Sequence, residues 1–183
     1  MPCYLAFFKP FEVLSQFTDR AGRQTLKEFI DIPGIYCAGR LDFRSEGLLV
    51  LSDDGAFIHR LSGPRHEHPK TYLAQVEGIP TEEGIKLLNE NILLPGIQSW
   101  TAEVELIAAP DLPPRPTPVR AYHPTAWLRI VLYEGKKHQV RRMTAAVGYP
   151  TLRLVRLAIG EITLGNLRPG EWRHLSKREI ASI

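Results

Sequence analysis

Asp42 stands between two cations in the run Gly39-Arg40-Leu41-Asp42-Phe43-Arg44-Ser45-Glu46-Gly47, immediately ahead of the apolar segment Leu48-Leu49-Val50-Leu51. A carboxylate held between cations stays ionised at neutral pH, which suits it to act as a nucleophile rather than as an acid. The same residues also describe a solvated turn aspartate beside its arginines, and the pattern alone leaves both readings open. The apolar segment carries no charge, is too short for a typical helix and is closed by Asp53-Asp54-Gly55. It is expected to be a buried strand that anchors the loop. Asp53 and Asp54 make a poor hydrolytic pair, because adjacent strand-end positions point to opposite sides and the glycine turns the chain.

Cations gather a second time in Glu134-Gly135-Lys136-Lys137-His138-Gln139-Val140-Arg141-Arg142-Met143. Val140, Met143, Thr144 and Val147 recur at i, i+3, i+4 and i+7, so a helix over 136–147 is expected to bury that face and to end at Gly148 with Pro150 beyond. Its cations then form either a solvated face or a phosphate-binding one. Arg141 flanks the buried face, where its planar fork can pair a carboxylate or a phosphate at two points. Tyr72, in Lys70-Thr71-Tyr72, sits in an alternating segment at 70–77. It reads as strand packing or as a flat surface for a nucleobase. His66 and His68 flank Glu67 at a spacing that is not a zinc signature, and the loop they occupy is expected to be mobile surface. The sequence carries no phosphate-cradling glycine loop, dinucleotide fingerprint or Ser/His/Asp arrangement.

The elements that must position these residues alternate between strands and short helices. Strands are expected at 4–8, 13–17, 48–51, 70–77, 102–108, 127–133, 152–157, 162–164 and 172–175, with 35–38 leading into the aspartate loop. Helical segments are expected at 25–30, capped by Gln24 or Thr25, at 56–61, and after Thr81 with Ile85, Leu87 and Leu88 as the buried stripe and an end near 89–91. Pro110, Pro113, Pro114, Pro116 and Pro118 break regular structure over 110–120. The class is α+β with a largely antiparallel or mixed sheet. The 183 residues are 44% hydrophobic, enough for one domain or two small lobes sharing a sheet. With 23 basic and 20 acidic residues the formal charge is only +3, so a polyanion must be met by a local patch. Cys3 and Cys37 are too few for a disulfide framework, which fits a reducing cytoplasm. The segment at 4–8 is too short for a signal-peptide core or a membrane span.

Four motifs follow one another in a fixed order. Lys9-Pro10 precedes Val13-Leu14-Ser15-Gln16-Phe17; Gly39-Arg40-Leu41-Asp42 precedes Ser45-Glu46-Gly47-Leu48-Leu49; Lys70-Thr71-Tyr72 precedes Val76-Glu77-Gly78; and Glu134-Gly135 precedes His138-Gln139-Val140-Arg141-Arg142-Met143. Arg156-Leu157-Ala158-Ile159-Gly160 and Pro169-Gly170-Glu171-Trp172-Arg173 continue the series. Over nearly the whole chain this resembles the RsuA/RluE-type family of RNA pseudouridine synthases, and four ordered motifs are far more specific than one. The resemblance implies a single catalytic domain over 1–183, with a mixed, mostly antiparallel sheet flanked by helices and a central RNA-binding cleft. It implies no S4-like domain, since the chain opens on the first catalytic strand.

The implied reaction is isomerisation of a flipped uridine to pseudouridine without metal or cofactor, by a covalent or a glycal route. Asp42, Tyr72 and Arg141 would be catalytic, with Arg141 as the partner of the Asp42 carboxylate. Arg40 would hold the RNA open, and Lys9, Arg44, Lys70, Lys136, Lys137, His138, Gln139 and Arg142 would contact RNA, with Leu157 walling the pocket. Gly22-Arg23-Gln24-Thr25-Leu26-Lys27-Glu28-Phe29, Val76-Glu77-Gly78-Ile79-Pro80 and Pro124-Thr125-Ala126-Trp127-Leu128 look most like the RluE branch, which implies large-subunit (23S) ribosomal RNA as partner. A small-subunit enzyme and a non-catalytic ribosome-assembly module are the alternatives. Phe11-Glu12-Val13 departs from the pattern, since many members have a glycine before the valine. A cytoplasmic monomer with no membrane contact is expected.

Overall fold

The computed structural model describes residues 2–63, 68–90, 102–120 and 122–183. Along the chain the elements are β1 (Tyr4–Lys9), a 3-10 turn (Leu26–Glu28), β2 (Tyr36–Cys37), β3 (Glu46–Ser52), α1 (Gly55–Ser62), β4 (Lys70–Glu77), α2 (Glu82–Asn89), β5 (Ala102–Ile107), β6 (Thr125–Leu132), α3 (Gln139–Ala146), β7 (Thr151–Ile159), β8 (Ile162–Thr163), β9 (Trp172–His174) and α4 (Lys177–Ala181). They form two compact units, one of Met1–His68 with Arg156–Ile183 and one of Pro69–Val155, so β7 begins in the second and ends in the first. The ladders β1–β3, β1–β9, β2–β3, β4–β6, β5–β6 and β7–β8 are antiparallel and the helices short, in keeping with an α+β chain.

In the first unit β1 pairs with both β3 and β9, with Tyr4 opposite Ser52 and Lys9 opposite Gly47. Every residue of β3 is buried, in keeping with its uncharged centre. Leu5 and Phe7 of β1 and Leu49 and Leu51 of β3 alternate onto one face, where Val13, Leu26, Ile30 and Ile35 complete a core. In the second unit β6 lies between β4 and β5, with Lys70 and Ala102 both opposite Leu132. Ala74, Val76, Leu88, Val104, Leu128, Ile130, Met143 and Leu154 are the centre of its core. Asn89 ties α2 to β5, accepting from the Val104 amide at 2.8 Å and donating to the Val104 carbonyl at 3.0 Å.

Several local expectations need correction. The segment at 13–17 is not a strand: it makes a single bridge, Leu14 to Thr25, with two flanking backbone hydrogen bonds, Leu14 to Gln24 and Leu26 to Gln16. Asp54 does not sit in a free turn but caps α1, accepting from the amides of Ala56 and Phe57. Leu87 is 40% exposed and leaves the buried stripe of α2 to Gly84 and Leu88. The basic helix starts at Gln139 rather than at Lys136, because His138 takes a left-handed φ of 53° that breaks the helical path. The short α4, held by a capping box of Ser176 and Glu179, was not expected at all. His66, Glu67 and Asn91 lie outside the described residues.

The segment after β1 braces the aspartate loop. Lys9 is fully buried, and its ammonium donates to the carbonyls of Val13 at 2.7 Å, Pro10 at 2.8 Å and Phe43 at 3.4 Å. It was expected on the RNA surface; its donors are instead consumed inside the fold. The Ser15 hydroxyl donates to the Leu41 carbonyl at 2.9 Å and accepts from the Leu41 amide at 3.0 Å. Glu12 holds a left-handed φ of 56° at the position where glycine is usual in the resembling family, and its amide reaches the Phe43 carbonyl at 2.9 Å. Gly47, at φ +101°, closes the loop against β7, where an added Cβ would run into the Arg156 carbonyl and lie 2.7 Å from the Arg156 amide nitrogen.

Two outcomes follow from this packing. Gly47→Ala must displace backbone rather than a side-chain tip, so it is expected to lower the unfolding free energy by about 3 kcal/mol or more, read as a fall in Cm with m unchanged. Burial lowers the Lys9 ammonium from 10.5 to about 7, against the attraction of Glu46 and Asp42 and with the help of Arg156. Between about 7 and 10.5 the folded state has therefore lost a proton that the unfolded chain keeps, so this group's contribution to stability rises with pH across that window and is lost as pH falls through about 7. Melting of the wild type and of Lys9→Met from pH 6 to 10 should show the wild type gaining on the variant as pH rises, and a pH-independent difference would contradict the assignment.

Candidate active site

Asp42 lies half-buried at the turn of its loop, with buried Leu41 before it, half-buried Phe43 after it and exposed Arg40 and Arg44 outside. Its own carbonyl accepts from the Ser45 amide at 3.0 Å, which closes the turn. On one side Ser15 fixes both backbone groups of Leu41; on the other Glu12 and Lys9 fix the Phe43 carbonyl. The backbone around Asp42 is thus held from both directions while its side chain keeps access to solvent. Such a carboxylate loses little conformational freedom on meeting a substrate.

Side chains around the loop are ordered in the same way. The Arg40 guanidinium donates through Nη2 to Gln16 Oε1 at 3.0 Å, and Gln16 Nε2 donates to the Thr18 carbonyl at 2.6 Å. Asp19 gathers the Ala21 and Arg23 amides and both the Nε and Nη2 of Arg23. Those hydrogen bonds from Arg23 hold the Asp19 carboxyl at about 2. The Arg23 guanidinium lies 5.9 Å from the centroid of the Phe43 ring, so the residue after Asp42 is covered by a cation.

In the second unit Tyr72 faces Ile130 across the β4–β6 ladder and packs, half-buried, against the core. Lys70 shares its face of β4, two residues earlier, and its Cε lies 3.7 Å from where a Cβ on Gly135 would stand. The structure therefore brings Lys70 beside the turn that carries Lys136, Lys137 and His138, all three exposed. Arg141 is half-buried and donates through Nη1 to the Thr151 carbonyl at 3.2 Å; Arg142 is also half-buried. Gln139 is not a surface contact. It is 4% exposed, donates to Glu134 Oε1 at 2.7 Å and accepts from the Lys136 amide at 2.9 Å, so it shapes the basic turn from within. Leu157, half-buried on β7, belongs to the first unit.

Ser15, Glu46 and Arg156 lie within the ordered motifs, but the sequence alone assigned none of them a role. Glu46 and Arg156 are 1% and 5% exposed, and a charged residue within a largely apolar strand segment is the signal that could have found them. Among the described residues no cluster of three or more His, Cys, Asp or Glu side chains is placed to hold a metal ion.

Residues 4–146 match the family model described as RNA pseudouridylate synthase. The ribosomal large subunit pseudouridine synthase E of Vibrio parahaemolyticus is 48% identical over 173 residues, covering 93% of this chain and 73% of its own. The protein of the same name from Xanthomonas axonopodis pv. citri is 54% identical over 166 residues, covering 88% and 87%. A crystal structure of a pseudouridylate synthase superposes with a TM-score of 0.82 at 30% identity, over all of this chain and 74% of that one. With the braced aspartate loop lying inside the matched span, the chain belongs to the RNA pseudouridylate synthase family.

Proposed function

We propose that this protein isomerises uridine to pseudouridine at a specific site in large-subunit (23S) ribosomal RNA. The observation that carries the reading is the Asp42 loop, backbone-locked on both sides with its carboxylate half-exposed, in a chain about half identical to large-subunit enzymes. The reaction breaks the bond from C1′ to N1, turns the base and joins C1′ to C5. The proton lost from C5 balances the one gained at N1, so no redox partner or energy source enters.

Asp42 is the essential carboxylate, acting on the flipped nucleotide in the step that frees the base. Tyr72 supplies the flat surface on which the uracil stacks and takes part in removing the C5 proton. Arg141, in the arginine motif, is the third member of the catalytic set, a planar cation able to pair a carboxylate or a phosphate. Extracting the uridine from its stack costs a few kcal/mol, which phosphate contacts and one aromatic stack offset. Arg40 holds the RNA open, while Lys70, Lys136, Lys137 and Arg142 contact its backbone. No helix among the described residues is long and apolar enough to cross a membrane, and the proposed substrate puts the enzyme in the cytoplasm.

Asp42→Asn is expected to abolish pseudouridine formation on a ribosomal RNA transcript while RNA affinity stays within about two-fold. Substantial product from that variant would contradict the assignment. Replacing Lys136, Lys137 and Arg142 together should weaken binding and reduce the slope of log K against log salt by roughly 2 to 3, as expected for three lost phosphate contacts. An unchanged slope would place the basic turn away from RNA.

A further inference from the structure

A buried arginine braces the end of the Asp42 loop and has a donor left over. Arg156 is 5% exposed; its Nε donates to the Leu48 carbonyl at 2.8 Å, while its Nη2 is buried with no hydrogen-bond partner among the described residues. Its backbone is the surface against which Gly47 closes the loop. Lys9 from β1 and Glu46 from β3 are also buried, and the Lys9 ammonium feels the charges of Glu46, Asp42 and Arg156. Of the four, Asp42 is the one that solvent reaches, for Lys9 and Glu46 are 0% and 1% exposed.

An arginine serving only to fill this space would be a poor choice. A buried charged group with an unmade hydrogen bond is unfavourable, and an unbranched apolar side chain of similar length would occupy the volume without that cost. An uncompensated donor in a native interior calls for an explanation, and here it belongs to the side chain that holds the strand start directly after the Asp42 loop. We propose that Arg156 is a positioning residue for Asp42: its buried guanidinium and backbone fix the Gly47–Leu48 end of the loop that carries the carboxylate. This rests on the catalytic role given to Asp42 and adds a residue outside the Asp42, Tyr72 and Arg141 set.

The test compares Arg156→Met and Arg156→Lys with the wild type in four measurements: melting temperature, RNA affinity, the single-turnover rate of pseudouridine formation at saturating RNA, and the amide order parameters of residues 42–47 by NMR. Arg156→Met is expected to melt within a few degrees of the wild type and to bind RNA equally well, yet to lose on the order of 100-fold in the single-turnover rate, with a fall in order confined to the loop. Arg156→Lys should restore much of both. Wild-type rate and unchanged loop order in a folded Arg156→Met would overturn the proposal, as would a loss of rate that merely follows a lost melting temperature. The order parameters need no turnover. If the wild type itself makes no pseudouridine, the functional reading has failed, and the loop order still decides what Arg156 does.

Discussion

Burying the Lys9 ammonium costs free energy that only a fixed set of acceptors can offset, and the chain draws those acceptors from the two segments that must be held together. Pro10 and Val13 supply carbonyls from the segment after β1, and Phe43 supplies one from the aspartate loop. Ser15 adds a two-way bond to Leu41, and Glu12 accepts an unfavourable left-handed backbone to reach Phe43. The position of Asp42 is the sum of these contacts. A loop of the same sequence without them would sample many conformations and present its carboxylate in few of the ones a reaction can use.

The charges around this brace are divided by depth. Lys9, Glu46 and Arg156 are interior, whereas Arg40 and Arg44 are exposed on either side of Asp42 in the chain. The second unit carries its own exposed cations on the turn before α3, shaped by buried Gln139. A nearly neutral protein can meet a polyanion in this way, because placement rather than the formal charge of +3 sets the local field.

The strands and the aspartate loop were legible because their signals are local. The Leu48-Leu49-Val50-Leu51 run, the alternation through Tyr72, Ala74 and Val76, and the Thr81 cap each declare themselves within a few residues, and the ordered motifs located Asp42. What stayed hidden depended on distant partners. Lys9 and Gln139 read as surface cation and surface amide, yet carbonyls at Pro10, Val13 and Phe43 and the Glu134 carboxylate draw them inside. Residues 13–17 have strand-like composition but spend their polar groups on Gln24, Leu26 and Leu41 instead of on a ladder. Arg156 was visible in a motif, but its meaning depends on Leu48, 108 positions away in the chain.

The most direct measurement is a pseudouridine map of ribosomal RNA, by carbodiimide labelling and primer extension, in a strain lacking this protein and in the same strain supplied with wild type or with Asp42→Asn. The account predicts that one large-subunit site disappears in the deletion, returns with wild type and stays absent with Asp42→Asn. A map unchanged by the deletion, or a site restored equally by Asp42→Asn, would contradict it.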